Sequence, residues 1–141
     1  MAKPLVTCLW FDGQAEAAAN FYCSVFKDSK ITQVTPMVVT FELNGNKFMG
    51  LNGGPKFKFD EAISIMVNCD NQDEIDYYWD ALTKDGGEES VCGWLKDKFG
   101  LSWQIVPSNL GELMAEPERA KRVMEKVMKM VKLDIATLEN A

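Results

Sequence analysis

The 141-residue chain contains no histidine. That absence excludes Ser-His-Asp and Cys-His catalysis and removes the commonest metal ligand. Any general acid or base must be Asp, Glu, Lys, Tyr or Cys. No apolar run approaches the roughly 20 residues of a membrane span. Met1 to Thr7 lacks the basic start and long apolar stretch of a secretion signal. A cytoplasmic protein with no membrane partner is expected. Cys8, Cys23, Cys69 and Cys92 stand at no metal-motif spacing, so reduced thiols are expected rather than a metal cluster or disulfides. The formal net charge of −6 repels phosphate backbones. Lys56, Lys58, Lys96 and Lys98 mix with aromatics, but acidic residues flank both pairs, so no nucleic-acid partner is expected. No Gly-x-Gly-x-x-Gly follows a strand-like run; Gly53-Gly54 and Gly86-Gly87 read as turn and helix-stop glycines. No Ser/Gly/Pro-rich linker interrupts residues 1–141, which predicts a single domain.

What is present is a repeat. Asp12-Gly-Gln14-Ala-Glu16 returns as Asp70-Asn-Gln72-Asp-Glu74. Each copy follows an apolar run, Leu5 to Phe11 or Ala62 to Cys69. Each leads into a helix-like stretch ending in aromatics, Phe21-Tyr22 or Tyr77-Tyr78-Trp79. A duplicated unit tends to pack about a pseudo-twofold axis, and the space between the halves is a natural place for a small ligand.

The patterns predict strands at 5–11, 30–34, 38–43 and 47–52, with a helix at 14–26 capped from Asp12. Asn44-Gly45 marks a hairpin. The second half predicts strands at 62–68, 89–96 and 101–106 and a helix at 71–84. The tail predicts a helix from Pro117 to about Lys132, with Val123, Val127 and Val131 in one stripe for core or interface packing beside Met124, Met128 and Met130.

Strand alternation assigns faces. Leu5, Thr7, Leu9 and Phe11 match Ile63, Ile65, Val67 and Cys69, and should pack on helices. The opposite face carries Trp10, Ser64 and Asn68. In the last strand Trp103 and Ile105 pack, while Ser102, Gln104 and Val106 face the other way, with Cys92 and Trp94 candidates to join them. Such a mixed face suits a semi-polar cavity, because Trp10 and Trp94 are costly to leave in water. A solvent-exposed sheet or subunit interface is the simpler alternative.

Leu9-Trp-Phe-Asp-Gly-Gln-Ala-Glu16, Phe21-Tyr22, Leu51-Asn-Gly-Gly-Pro55 and Cys92-Gly-Trp-Leu-Lys-Asp-Lys-Phe-Gly-Leu-Ser-Trp-Gln104 resemble the PhnB-like branch of the vicinal oxygen chelate superfamily. That superfamily holds glyoxalase I, bleomycin-resistance proteins and extradiol dioxygenases. Its PhnB-like members often carry the label 3-demethylubiquinone-9 3-methyltransferase. The resemblance spans about residues 3 to 138. It implies an α+β fold of two βαβββ modules forming a cupped mixed sheet, usually as a homodimer. The modules would run over about 3–54 and 60–107, with a helical tail at 108–139. Carried over, the superfamily's metal positions fall at Val6, Ser64, near Gly50 with Asn52 two residues on, and Gln104. This set lacks anionic and imidazole donors, so no metal is expected. The link Val34-Thr-Pro-Met-Val38 is shorter than in many PhnB-like chains. The methyltransferase label finds no nucleotide-binding motif to support it.

The expected function is therefore binding of a small organic molecule by a homodimer, with no metal or other cofactor. Trp10 and Trp94 would give apolar or stacking surface; Asn52, Ser64, Asn68 and Gln104 would give hydrogen bonds. A metal-independent enzyme would need Glu42 as acid–base or Cys92 as nucleophile. Asp97 is expected to shape its turn rather than to catalyse. A structural dimer with a filled cavity is the third possibility.

Overall fold

A computed structural model describes residues 3–141. They fall into two compact units divided between Phe59 and Asp60. The first runs β1 (Thr7–Phe11), α1 (Ala15–Val25), β2 (Ser29–Val34), β3 (Val38–Leu43) and β4 (Asn46–Asn52). The second runs β5 (Ser64–Cys69), α2 (Gln72–Thr83), β6 (Glu88–Glu89), β7 (Trp94–Lys96) and β8 (Ser102–Pro107). The tail follows as α3 (Leu110–Leu113), α4 (Pro117–Val127) and α5 (Ile135–Glu139).

Both units have one topology. The strand orders are β1-β4-β3-β2 and β5-β8-β7-β6. In each, the first strand pairs parallel with the last and the others pair antiparallel. The expected α+β architecture of two βαβββ modules is present, as two open four-stranded mixed sheets. The hairpin at Asn44-Gly45 has positive φ at both residues, 48° and 80°, the turn whose twist matches its strands.

In the first unit, α1 approaches β4 closely because small residues meet. A Cβ on Gly50 would lie 3.0 Å from that of Ala15. Ala15, Ala18, Ala19 and Tyr22 are fully buried there. Phe41 stacks between Tyr22 and Phe48, with ring centroids 6.1 and 5.5 Å away. In the second unit, Ile75, Trp79 and Leu82 of α2 are buried, as are Leu95, Trp103 and Ile105 of the sheet. Leu9, Phe11, Val67 and Cys69 are buried, as alternation predicts; Leu5 and Ile63, ahead of their strands, are exposed.

Three local expectations are corrected. Asp12 does not cap α1. The helix starts after Gln14 with no cap from its own flank, and Ala15 N–H donates instead to Asn52 Oδ1 at 2.9 Å. By contrast α2 caps itself. Asn71 accepts from Glu74 N–H, and Glu74 accepts from the N–H of Asp70, one residue before the cap, a variant of the capping box.

The strand expected over 89–96 is broken. Cys92 and Gly93 take φ of 61° and 83°, so a turn separates β6 from β7. The turn's amides are satisfied by the tail: Cys92 N–H donates to Met130 O and Gly93 N–H to Val131 O, both at 2.8 Å.

The tail helix ends before those bonds. α4 stops at Val127, so Val123 and Val127 are buried while Val131 is 43% exposed. Met130 packs instead against a cluster of Val106, Leu113, Val123, Val127, Leu133 and Leu138. The tail thus shares a core with β8 of its own chain. Gln72 ties it to α2 as well, donating to Leu133 O and accepting from Ile135 N–H.

Candidate functional site

In each sheet, the face opposite the helix is built row by row from the strand registers. In the first unit one row is Cys8, Met49 and Thr40; the next is Trp10, Leu51 and Val38. Glu42 lies between Lys30 and Lys47, with Lys30 Nζ 3.7 Å from its carboxylate. A hollow of about 300 Å³ is lined by Val6, Thr32, Thr40, Glu42, Lys47 and Met49, among others. Thr32 and Thr40 hydroxyls bond each other there at 2.7 Å.

Trp10 is held from one side by the Asn52-Gly-Gly-Pro55 segment. Its indole N–H donates to Gly54 O at 2.8 Å. Phe57 meets its ring edge-on, with centroids 4.9 Å apart. A side chain on Gly53 would overlap the ring, which gives a physical reason for glycine at that position. Asn52 stands on the other face, opposite Phe11. Its oxygen caps α1 and its Nδ2 donates to Pro36 O at 3.0 Å. Its backbone N–H donates to Met37 O, so it also fixes the short 35–37 link. Asn52 is therefore committed to the fold.

In the second unit Met66, Gln104 and Trp94 form one row across β5, β8 and β7. Ser64, Ser102 and Lys96 form the next, and Asn68 stands opposite Val106. Gln104 Nε2 donates to Ser64 Oγ at 2.9 Å. Lys96 Nζ lies 3.0 Å from Glu61 Oε1. Ser102 is 1% exposed, and its hydroxyl finds no partner among the described residues. Val106 shares the parity of Gln104, but the tail cluster buries it. Cys92 does not join this face. It sits in the positive-φ turn, with Sγ 3.8 Å from Met128 Sδ.

Two cationic groups of the second unit, Lys96 and Lys132, are steadied by local carboxylates. The Lys132 ammonium at 2.8 Å from Asp76, with Gln72 beside it, holds the Asp76 carboxyl below the ordinary aspartate range, and Asp76 in turn raises Lys132. Burial pushes the Cys69 thiol up to about 12, with Glu74 and Asp70 adding to it. That side chain is a core group rather than a thiolate.

The superfamily's metal ligands have no counterpart here. The repeat pairs Val6 with Ser64. The registers Cys8 to Met49 and Met66 to Gln104 pair Met49 with Gln104. The first-half position is thus Met49. It adjoins Gly50, near which the sequence placed this position; Gly50 itself points to α1 because neighbouring strand residues alternate faces. Val6 offers no donor and Met49 a soft thioether, while Ser64 and Gln104 bond each other. This set does not fit a hard divalent ion. No cluster of three or more His, Cys, Asp or Glu suited to a metal occurs among the described residues.

Sequence reading reached Trp94, Ser64, Asn68 and Gln104 by alternation. It missed Lys96 as their neighbour, because the break at residues 90–93 hides the register of β7. It also gave no sign that the Ser102 hydroxyl lacks a partner.

Comparison with known proteins agrees with this geometry. A model of the 3-demethylubiquinone-9 3-methyltransferase family matches residues 3–106. The match stops where the tail begins, so the tail expected to share the resemblance lies outside it. The solved structure of a PhnB protein from Bacillus cereus, which carries the same methyltransferase description, is 32% identical. It has a TM-score of 0.68 and covers 74% of this chain and 99% of its own. A Pseudomonas aeruginosa protein of 18% identity has a TM-score of 0.63, over 75% and 98% of the two chains. A glyoxalase-related enzyme from Fulvimarina pelagi, also 18% identical, has 0.56 over 74% and 87%. These last two share the fold. No curated protein matches the chain. The chain belongs to the 3-demethylubiquinone-9 3-methyltransferase (PhnB-like) family and has the fold of the vicinal oxygen chelate superfamily.

Proposed function

We propose that this protein binds a small organic molecule on the open face of its second sheet, without a metal, and works as a cytoplasmic homodimer. One observation carries the reading. Trp94 and the 51%-exposed Met66 stand in one row with Gln104, opposite the face that packs on α2. Apolar surface flanking a fixed amide suits a ligand with a flat or aliphatic body and a polar edge. Ser64 and Asn68 supply further polar groups on that face. Trp10, with its N–H already bonded, would offer a ring face in the first unit. Asn52 and Cys92 stay outside the proposed ligand set, since one caps a helix and the other packs under the tail. Methyl transfer gains no support from the fold. Neither sheet is doubly wound, and among the described residues no glycine-rich phosphate loop opens a helix.

Native mass spectrometry of the freshly purified protein tests this reading. A dimer with an organic adduct that is lost in Trp94→Ala supports it. A stoichiometric divalent metal overturns it. Glu42 favours one second reading, a metal-independent reaction, because it lines the first unit's hollow beside two lysines. Turnover abolished by Glu42→Gln would select that reading.

A further inference from the structure

We infer that the row Ser64, Ser102 and Lys96 is a carboxylate subsite, so that the ligand class is a small organic acid with a flat apolar body. This rests on the binding reading above and names the chemistry it would select.

The first observation is the Ser102 hydroxyl. A buried hydroxyl with no partner is disfavoured in the folded protein, and alanine at that position would avoid the problem. Ser102 lies on the sheet face away from the buried Trp103 and Ile105, in register between Ser64 and Lys96. A hydroxyl left unpaired beside a cation is matched to an anionic oxygen, which accepts from both.

The second observation is Glu61. Its carboxylate already sits 3.0 Å from Lys96 Nζ, and its side chain is 64% exposed. An ion pair that open is easily exchanged. Glu61 therefore shows that a carboxylate fits against Lys96, and marks the bond an incoming acid would replace. On this proposal the acid displaces Glu61 from Lys96 and reaches the Ser102 hydroxyl next in register. The neighbouring row completes the specificity: Met66 and Trp94 take the apolar body, and Gln104, which already donates to Ser64, orients the polar edge.

The test uses the intact protein, with benzoate as probe and benzamide as its neutral isostere. The readout is the indole N–H resonance of Trp94, assigned by its loss in Trp94→Phe. Benzoate should shift this signal saturably, and benzamide should bind roughly tenfold more weakly. Lys96→Met should erase the preference for the acid. Glu61→Gln should strengthen benzoate binding, because it removes the internal competitor. Ser102→Ala should weaken benzoate roughly fivefold while leaving the unliganded protein as stable or more so, which a merely structural serine would not do. Equal binding of benzoate and benzamide overturns the subsite while leaving the small-molecule reading intact. So does a preference for the acid that survives Lys96→Met. Failure of both probes, together with a native mass free of any organic adduct, overturns subsite and binding reading together.

Discussion

Single residues decide more of this fold than their types announce. Asn52 looks like a ligand-binding amide, yet its oxygen caps α1 and its nitrogen holds Pro36. Asn52→Ala should cost about 1–2 kcal/mol, measured by urea unfolding; Asn52→Asp keeps the acceptor and should cost less. Asp97 is the reverse case. Its expected part in the turn is observed: the carboxylate accepts from Phe99 N–H, Leu101 N–H and Trp103 Nε1 and is only 3% exposed. Asp97→Ala should cost about 3 kcal/mol, since it leaves buried donors unpaired. The thiols separate by burial. Exposed Cys8 should react with iodoacetamide at neutral pH, whereas Cys69, pushed up to about 12, should stay unmodified until the protein unfolds; mass mapping of the alkylated peptides decides this. Asp97 was legible because its turn chemistry is local. Asn52 was not, because its partners lie far along the chain and on the opposite side of the sheet from the one inspected.

At the scale of elements, alternation read β1 and β5 correctly because each is an unbroken strand with one buried side; in β8 it gave the parity, but Ser102 and Val106 are buried on the second side as well. It failed at residues 90–93, where a non-glycine residue, Cys92, takes positive φ to meet the tail backbone. The helix expected to reach about Lys132 stops short beside the same contact: Val123 and Val127 are in the core, whereas Val131 follows the helical spacing in sequence but lies beyond the end of α4. The tail's attachment to α2 also carries a pH signature. Asp76 is held low by Lys132 and Gln72. Its contribution is thus present above the ordinary aspartate pKa of about 3.9 and lost as pH falls through its lower folded value. Lys132 is raised, so its contribution is present below about 10.4 and lost as pH rises through its higher folded value. Both side chains are more than a third exposed, so the effect is small. Amide protection factors in residues 128–135, taken relative to the intrinsic exchange rate at each pH, should fall at pH 3 relative to pH 6, and Asp76→Asn should flatten that difference.

At the scale of the whole molecule, the repeat was the most legible feature, since both copies of βαβββ were visible in turn and strand patterns. What the pattern could not convey is that the second copy carries the tail as part of its core. Truncation after Ser108 removes the partners of Val106, Cys92 and Gly93. It should lower the unfolding temperature in calorimetry, although the family match lies wholly within the retained residues. We propose that the full chain nevertheless melts as one cooperative domain; two resolved calorimetric transitions would show otherwise. The parallel pairing of first strand with last has a further consequence, for the order of events in time. Thr7 must wait for Phe48 and Ser64 for Ser102, so neither sheet can close until its last strand has left the ribosome. Each first strand is synthesised as an apolar segment with no neighbour, and the long loop must be closed before pairing repays it. In the first unit even the start of α1 waits, because its cap arrives on the last residue of the last strand.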